Sequence, residues 1–282
     1  MAETMLNHLF DPEVWAGLVQ AEFTGQIRVA PYALTDDTLV GAPGSEVDFP
    51  RWDTLNDLEE LDEAVPMDTQ VMGQTTSKAR IAEYGTAVEI TDNARLSGLG
   101  DPEAEAARQF AVLAARKVDE KAIAAALEKT TADPTNKIRA TSPYEVTLTG
   151  TSLDWDGIVD GTAAFGDEWD PSAMAALFIR SDARTAIWKS DDFIKAADLG
   201  APIAKTTGQV GVIAGVPVVV TDRLPEKTAL LLRPSALGIL WKRRPIVEYD
   251  RDILKRTDVI ATNLHFAVKR LNDKGVAVIR HA

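Results

Sequence analysis

The segment DPEAEAARQFAVLAARKVDEKAIAAALEKT, residues 101–130, constrains this chain more than any other. Asp101 is a strong N-cap, Pro102 fits the first helical position, and Glu103 and Glu105 stand where the helix dipole favours negative charge. Ala107, Phe110, Ala114, Val118, Ala122 and Ala125 recur at three- and four-residue spacing, so one stripe is apolar from end to end. The spacing predicts a single helix from Glu103 to Glu128. At ~1.5 Å per residue that is a rod of about 39 Å, far beyond the usual ~11 to 12 residues. Glu105 with Arg108, and Arg116 with Glu120, are expected surface ion pairs. The many alanines permit close approach of a sheet, and Asp133–Pro134 end the rod.

Strand patterns lie on both sides of this helix. Upstream, Val47 and Phe49 alternate with Glu46 and Asp48, and Ala79 and Ile81 alternate with Lys78 and Arg80. These predict a long hairpin with strands Val47–Trp52 and Ser77–Tyr84. Its connection carries Asp57, Glu59, Glu60, Asp62, Glu63 and Asp68 and no basic residue. Two readings stand: a solvated acidic loop, or an extended flap whose charges meet a neighbouring subunit. Residues 1–45 read as an arm. One short helix capped by Asp11–Pro12 carries Val14, Trp15, Leu18 and Val19, and then Pro31, Gly41, Pro43 and Gly44 break the pattern. Such a stretch cannot make a core alone and must lie on something else.

Downstream the pattern is mixed. A helical face runs Ile158, Ala163, Phe165, a buried strand is expected over Ala175–Ile179, and helical spacing resumes through Ala186, Ile187, Phe193 and Ile194. In GVIAGVPVVV, Pro217 excludes a helix interior and the valines favour strand. From Ile260 to Lys269 one parity gives Ile260, Thr262, Leu264, Phe266 and Val268, a half-buried strand, and the turn Asn272–Gly275 is expected to close a terminal hairpin on the long helix. The fold class is therefore α+β.

With 282 residues the chain buries roughly 75% of its unfolded surface. The absence of cysteine excludes disulfides, thiolate metal sites and a cysteine nucleophile. Acidic residues outnumber basic ones by 43 to 30, and the net charge of -13 repels phosphate backbones. The opening residues have no basic group before their short apolar stretch, so no secretory signal is expected. The longest apolar run, Val210–Val220, is broken by Gly211, Gly215 and Pro217 and is too short to span ~30 Å of hydrocarbon; a soluble chain without a membrane partner is expected.

A search for chemistry returns little. Gly161–Gly166 is followed by Asp167 where a phosphate loop needs lysine, and Gly208–Gly215 runs into a valine strand instead of opening a helix. His8, His265 and His281 are not at metal-ligand spacing, and Asp154, Asp156 and Asp160 lack the calcium-loop pattern. No catalytic residue, cofactor or metal is assigned. The alternative of a carboxylate-based α/β hydrolase rests on Asp167 and Asp170 and requires a concave pocket with convergent acids. Lys242, Arg243 and Arg244, accompanied by Trp241, form the one dense basic patch, expected at a junction between domains or subunits.

The order of segments then carries a resemblance. The phrases DFPRWDTLNDLEELDE, KARIAEYGTAVEITDNA, DPEAEAARQFAVLAARKVDEKAI, LDWDGIVDGTAAFGDEWDPSAMAALFI, GVIAGVPVVVTDRLP and VEYDRDI, taken in sequence, resemble the major capsid proteins of tailed bacteriophages, which have the Hong Kong 97 fold. The resemblance implies an N-terminal arm over 1–45 and an extended loop over 46–84. It implies a peripheral domain with the spine helix over 85–149 and 243–282, and an axial domain over 150–242. It implies a shell subunit that assembles as hexamers and pentamers into an icosahedral virion capsid. That capsid is built in the host cytoplasm and encloses double-stranded DNA without sequence-specific binding. A portal, a separate scaffolding protein and possible decoration proteins are the implied partners; a separate scaffold is expected because the chain opens directly with the arm. Interface candidates are Arg51, Trp52, Lys78 and Arg80 on the extended loop and Trp241, Arg243 and Arg244 at the junction. Some relatives crosslink lysine to asparagine; Lys78 is the loop's only lysine, and no such bond is expected here. An encapsulin-like nanocompartment with the same fold is the nearest alternative.

Overall fold

The computed structural model describes residues 27–52, 69–97, 101–133, 140–148, 155–189 and 211–281, with positions 55, 60, 135, 138 and 153 between them. The expected arm helix, most of the acidic connection and the positions of Phe193 and Ile194 lie outside the described residues.

The long helix forms as its sequence dictates, from Pro102 to Leu127. Asp101 caps it, its Oδ1 accepting the N–H groups of Glu103 (3.0 Å) and Ala104 (3.2 Å). At the far end the buried Arg270 guanidinium donates to the free carbonyls of Ala125 (3.4 Å) and Ala126 (2.8 Å) and is held by Asp273 at 2.8 Å. A cation there satisfies both the orphan acceptors and the dipole. Of the two expected surface pairs, Glu105–Arg108 forms, at 2.8 Å; Glu120 instead takes Lys117 at 3.1 Å.

Two sheets meet on this rod. The first holds four strands in the order β1 (Leu34–Asp36), β10 (Leu237–Asp252), β11 (Thr257–Arg270), β4 (Ala82–Thr91). The second holds six: β5 (Tyr144–Thr147), β12 (Val276–Arg280), β9 (Thr228–Leu232), β6 (Ala176–Ile179), β8 (Val216–Val220), β7 (Val212–Ile213). The middle of the helix, Ala107, Ala111, Ala114, Ala115 and Val118, packs on Ile239, Trp241, Leu264 and Phe266 of the first sheet. Its last turns, Ala122, Ile123 and Ala126, pack with Phe178, Leu230, Leu232, Val276 and Val278 of the second. The opposite face of the six-stranded sheet is covered by Ile158, Phe165 and Ile187 from the segments following Trp155, which pack on Leu177, Ile179 and Ile279. The approach at Gly161 is close: a Cβ there would lie 2.2 Å from Ile279 Cδ1 and would displace that side chain.

A separate two-stranded hairpin, β2 (Glu46–Trp52) and β3 (Gln74–Arg80), pairs antiparallel in the register Glu46↔Arg80 to Trp52↔Gln74. The expected strand Ser77–Tyr84 divides at Ile81: Tyr84 belongs to β4, which pairs with β11 through Leu264.

One further expectation is corrected. The last strand forms no hairpin with β11. The turn at Asn272–Gly275 carries the chain into the other sheet, where β12 lies parallel to β5 and antiparallel to β9. Val276–Ile279 are buried on both faces, which suits a central strand and not a half-exposed hairpin arm. The division expected at 242/243 falls inside β10, which runs unbroken from Leu237 to Asp252 with register shifts between Trp241 and Ile246. Pro245, which cannot donate to the ladder, sits in that irregular stretch.

Candidate assembly surfaces

The base of the β2–β3 hairpin packs on the face of the four-stranded sheet away from the helix. Ala79 is buried against Leu240 and Ala267, with Val47, Phe49 and Ile81 partly buried around it. Lys78 and Arg80 flank Ala79 at this footing and are exposed, with no ion-pair partner among the described residues, and farther along β3 Thr76 bridges Ile138. Arg51 and Trp52 stand opposite Thr75 and Gln74 at the far end of the ladder; their side chains lie outside the described residues. Arg80 lines a shallow groove of about 300 Å³ with Tyr84, Lys121, Glu128 and Phe266. A neighbouring hollow of about 430 Å³ continues past Tyr84 to Leu113 and Lys117. The Lys117 and Lys121 ammonium groups sit 5.5 and 5.7 Å from the centre of the Tyr84 ring, within cation–π reach.

The basic patch is spent largely within the chain. Arg244 pairs with Asp37 at 2.9 Å and lies 5.5 Å from the Trp241 ring, Lys242 donates to the Gly44 carbonyl, and Arg243 pairs with Glu248 at 3.1 Å. These contacts tie the stretch Leu34–Gly44 to β10. Trp241 is 4% exposed, inside the helix–sheet core and 5.4 Å from the Phe266 ring. It sits on the inward parity of β10, opposite Phe266 of β11, and the helix covers that face.

The far end of the four-stranded sheet carries a cluster that sequence reasoning missed. Asp258, 1% exposed, accepts from Arg251 at 2.6 Å and Arg95 at 3.2 Å; Arg251 also holds Asp92 at 2.9 Å, and Arg95 reaches Glu103 at 3.3 Å. Burial raises the Asp258 carboxyl, but hydrogen bonds from Arg251 and Tyr249 outweigh it and hold the group below its ordinary range. Burial pushes Glu103 up, against the pull of Arg95. The cluster braces the hairpin turn after β10, where Ile253 and Leu254 are 78% and 96% exposed, with Leu96 at 85% on the short helix Asp92–Ser97. The signal available was an Ile–Leu pair inside the charged phrase DRDILKR.

The carboxylates of the hydrolytic alternative do not build a site. Asp167 and Asp170 are exposed, and Asp170 accepts from the N–H and hydroxyl of Ser172 at 2.9 and 2.7 Å, capping its own turn. Those bonds hold its carboxyl below the usual range. His265 faces Glu83 at 3.5 Å. Among the described residues no three metal-ligating side chains gather, and no helix is long and apolar enough to cross a membrane.

Comparison with known proteins bears on the whole chain. The family model described as phage capsid protein matches residues 74–279. Over 283 aligned residues, covering 98% of this chain and 94% of the relative, the chain is 30% identical to the major capsid protein of Staphylococcus phage phiMR11. Among solved structures, that of Mycobacterium phage Che8 superposes with a TM-score of 0.68 at 16% identity, covering 90% of this chain and 91% of the other. The capsid of the cyanophage P-SCSP1u gives 0.66 at 13%, covering 91% and 89%. A virus-like particle from Pyrococcus furiosus gives 0.63 at 8%, covering 95% and 98%. These three likenesses are of fold.

Proposed function

This chain belongs to the phage capsid protein family, and from that premise we propose how its parts divide the work of building a shell. Its fold is the Hong Kong 97-like α+β fold of phage capsids, and its function is that of the major capsid subunit forming the icosahedral shell of the virion. The family is one of structural proteins.

In the proposed arrangement, copies group as hexamers and pentamers. The helix and four-stranded sheet form the peripheral part of each tile, and the six-stranded sheet with its covering helices forms the axial part that meets the symmetry axes. The β2–β3 hairpin reaches over a neighbour with Lys78 and Arg80 on its exposed edge and Arg51 and Trp52 toward its far end, while Arg243 and Arg244 shape the seam beside the segment at Asp37. The wall encloses double-stranded DNA without gripping it, because a net charge of -13 offers no counter-ion track for phosphate. A separate scaffolding protein, a portal and decoration proteins would complete the particle.

The observation that carries this reading is the sparse burial of the hairpin: Ala79 is its one fully buried side chain among the described residues, and beyond that footing β3 meets the chain at the bridge of Thr76 with Ile138. A two-stranded ribbon with so little core of its own is marginal in water and needs a partner surface. Electron microscopy of the expressed protein, with and without its scaffold, is the test. Closed shells, or free hexamers and pentamers, are expected; a monodisperse monomer at high concentration under both conditions refutes the proposal.

A further inference from the structure

Asp119 lies on the long helix and is fully buried, 0% exposed. Its Oδ1 accepts the main-chain N–H groups of Val29 (2.9 Å) and Ala30 (3.1 Å), and its Oδ2 accepts the N–H of Arg28 (2.8 Å). The same Oδ2 takes the Arg223 guanidinium, from the turn that follows β8. Residues 28–30 open the single 3₁₀ turn Ala30–Tyr32, whose own N-cap residue, Val29, makes no side-chain cap. A carboxylate about 90 positions away in sequence performs that capping instead. Three sequence-distant parts, the root of the arm, the long helix and the edge of the six-stranded sheet, thus converge on one side chain.

We propose that Asp119 is the positioning residue that sets where the N-terminal arm leaves the body of the subunit. It grips the arm through main-chain N–H groups, so the hold does not depend on arm side chains. Through Arg223 it ties that root to the joint between helix and sheet. The proposal rests on the reading of the arm as a strap between neighbours: a strap reaches a defined neighbour only if its root is fixed.

Residues 1–27 contain no lysine or arginine, so Arg28 is the first tryptic site, and its scissile bond runs to the buried, Asp119-bonded Val29. In the unassembled full chain that bond is expected to resist trypsin. In Asp119→Asn, which preserves shape but loses the charge and one acceptor oxygen, cleavage there is expected to accelerate roughly tenfold or more, because cleavage follows the population of the locally opened root. Amide exchange of the helix stretch 107–118 should not change, which separates a loosened root from a weakened core. Equal cleavage rates in variant and wild type overturn the clasp. Should the variant not fold, exchange of the wild-type amides of residues 28–30 decides: protection comparable to the long helix supports the clasp, and exchange at the free-peptide rate overturns it. Particle assembly is read in parallel. A variant that frees Arg28 yet closes shells at wild-type yield overturns the positioning role and the strap reading while the clasp itself stands.

Discussion

Replacing Trp241 by alanine separates a place in the core of the subunit from a contact between subunits. The indole is 4% exposed and sits among Ile239, Leu264 and Phe266, with the Phe266 ring at 5.4 Å and the Arg244 guanidinium at 5.5 Å. A buried tryptophan removes roughly 200 Å² from water, which at about 25 cal/mol per Å² corresponds to about 5 kcal/mol. Partial collapse of the cavity brings the observed cost of such truncations to about 3–5 kcal/mol, against a total stability of about 5–15 kcal/mol for a typical protein. Urea denaturation of the unassembled subunit, followed by far-ultraviolet circular dichroism, should therefore show a large fall in midpoint with little change in slope. An unchanged midpoint accompanied by failed assembly refutes the reasoning, since it would make Trp241 a contact between subunits.

Three further outcomes are expected. Arg80→Glu should lower particle yield while leaving the unfolding free energy of the free subunit within about 0.5 kcal/mol of wild type, because the side chain is exposed; undiminished yield counts against its place at a seam. Gly161→Ala should destabilise by about 1–3 kcal/mol, as its Cβ would meet Ile279 Cδ1 at 2.2 Å, and Ile279→Val should recover part of the loss in thermal unfolding; a strictly additive double mutant contradicts the clash. The Glu103 carboxyl is raised above 4.5 by burial, so it favours the native state when protonated, a contribution complete below pH 4.5 and lost as pH rises through the native value. Glu103→Gln should then be more stable than wild type at pH 7 to 8 and lose that advantage below pH 4.5; a pH-independent difference between the two proteins rules the linkage out.

Much of the fold was legible because it follows local periodicity. The long helix, its Asp101 cap and its alanine stripe stand where the spacing put them, and Ile260, Thr262, Leu264 and Phe266 are the buried parity of β11. The hairpin Glu46–Arg80 also followed from alternation. What escaped was pairing at a distance. Val276–Ile279 is apolar on both faces, a pattern that fixes burial but not which sheet receives the strand. Trp241 beside three cations looked like a surface feature until the parity of β10 turned it inward. Asp119 offered a signal that went unread: it stands four residues after Ala115 and three before Ala122, a charge set inside the buried stripe, where a carboxylate persists only with several partners.

The distribution of burial explains why such a chain works as a tile. The rod is built mainly of alanine where it touches both sheets, so the body is stiff and closely packed, and its two cores share a single helix. The hairpin has the opposite character, with one fully buried side chain among the described residues and a ladder of seven residue pairs. Ordering those residues costs on the order of 1–2 kcal/mol each in backbone entropy, against which the described residues set one buried alanine and the partly buried Val47 and Phe49. In the proposed shell, the surface of a neighbouring copy supplies the remaining stabilisation. A rigid body with an under-supported extension thereby favours contact with further copies, and the conformation of the extension becomes a property of the shell.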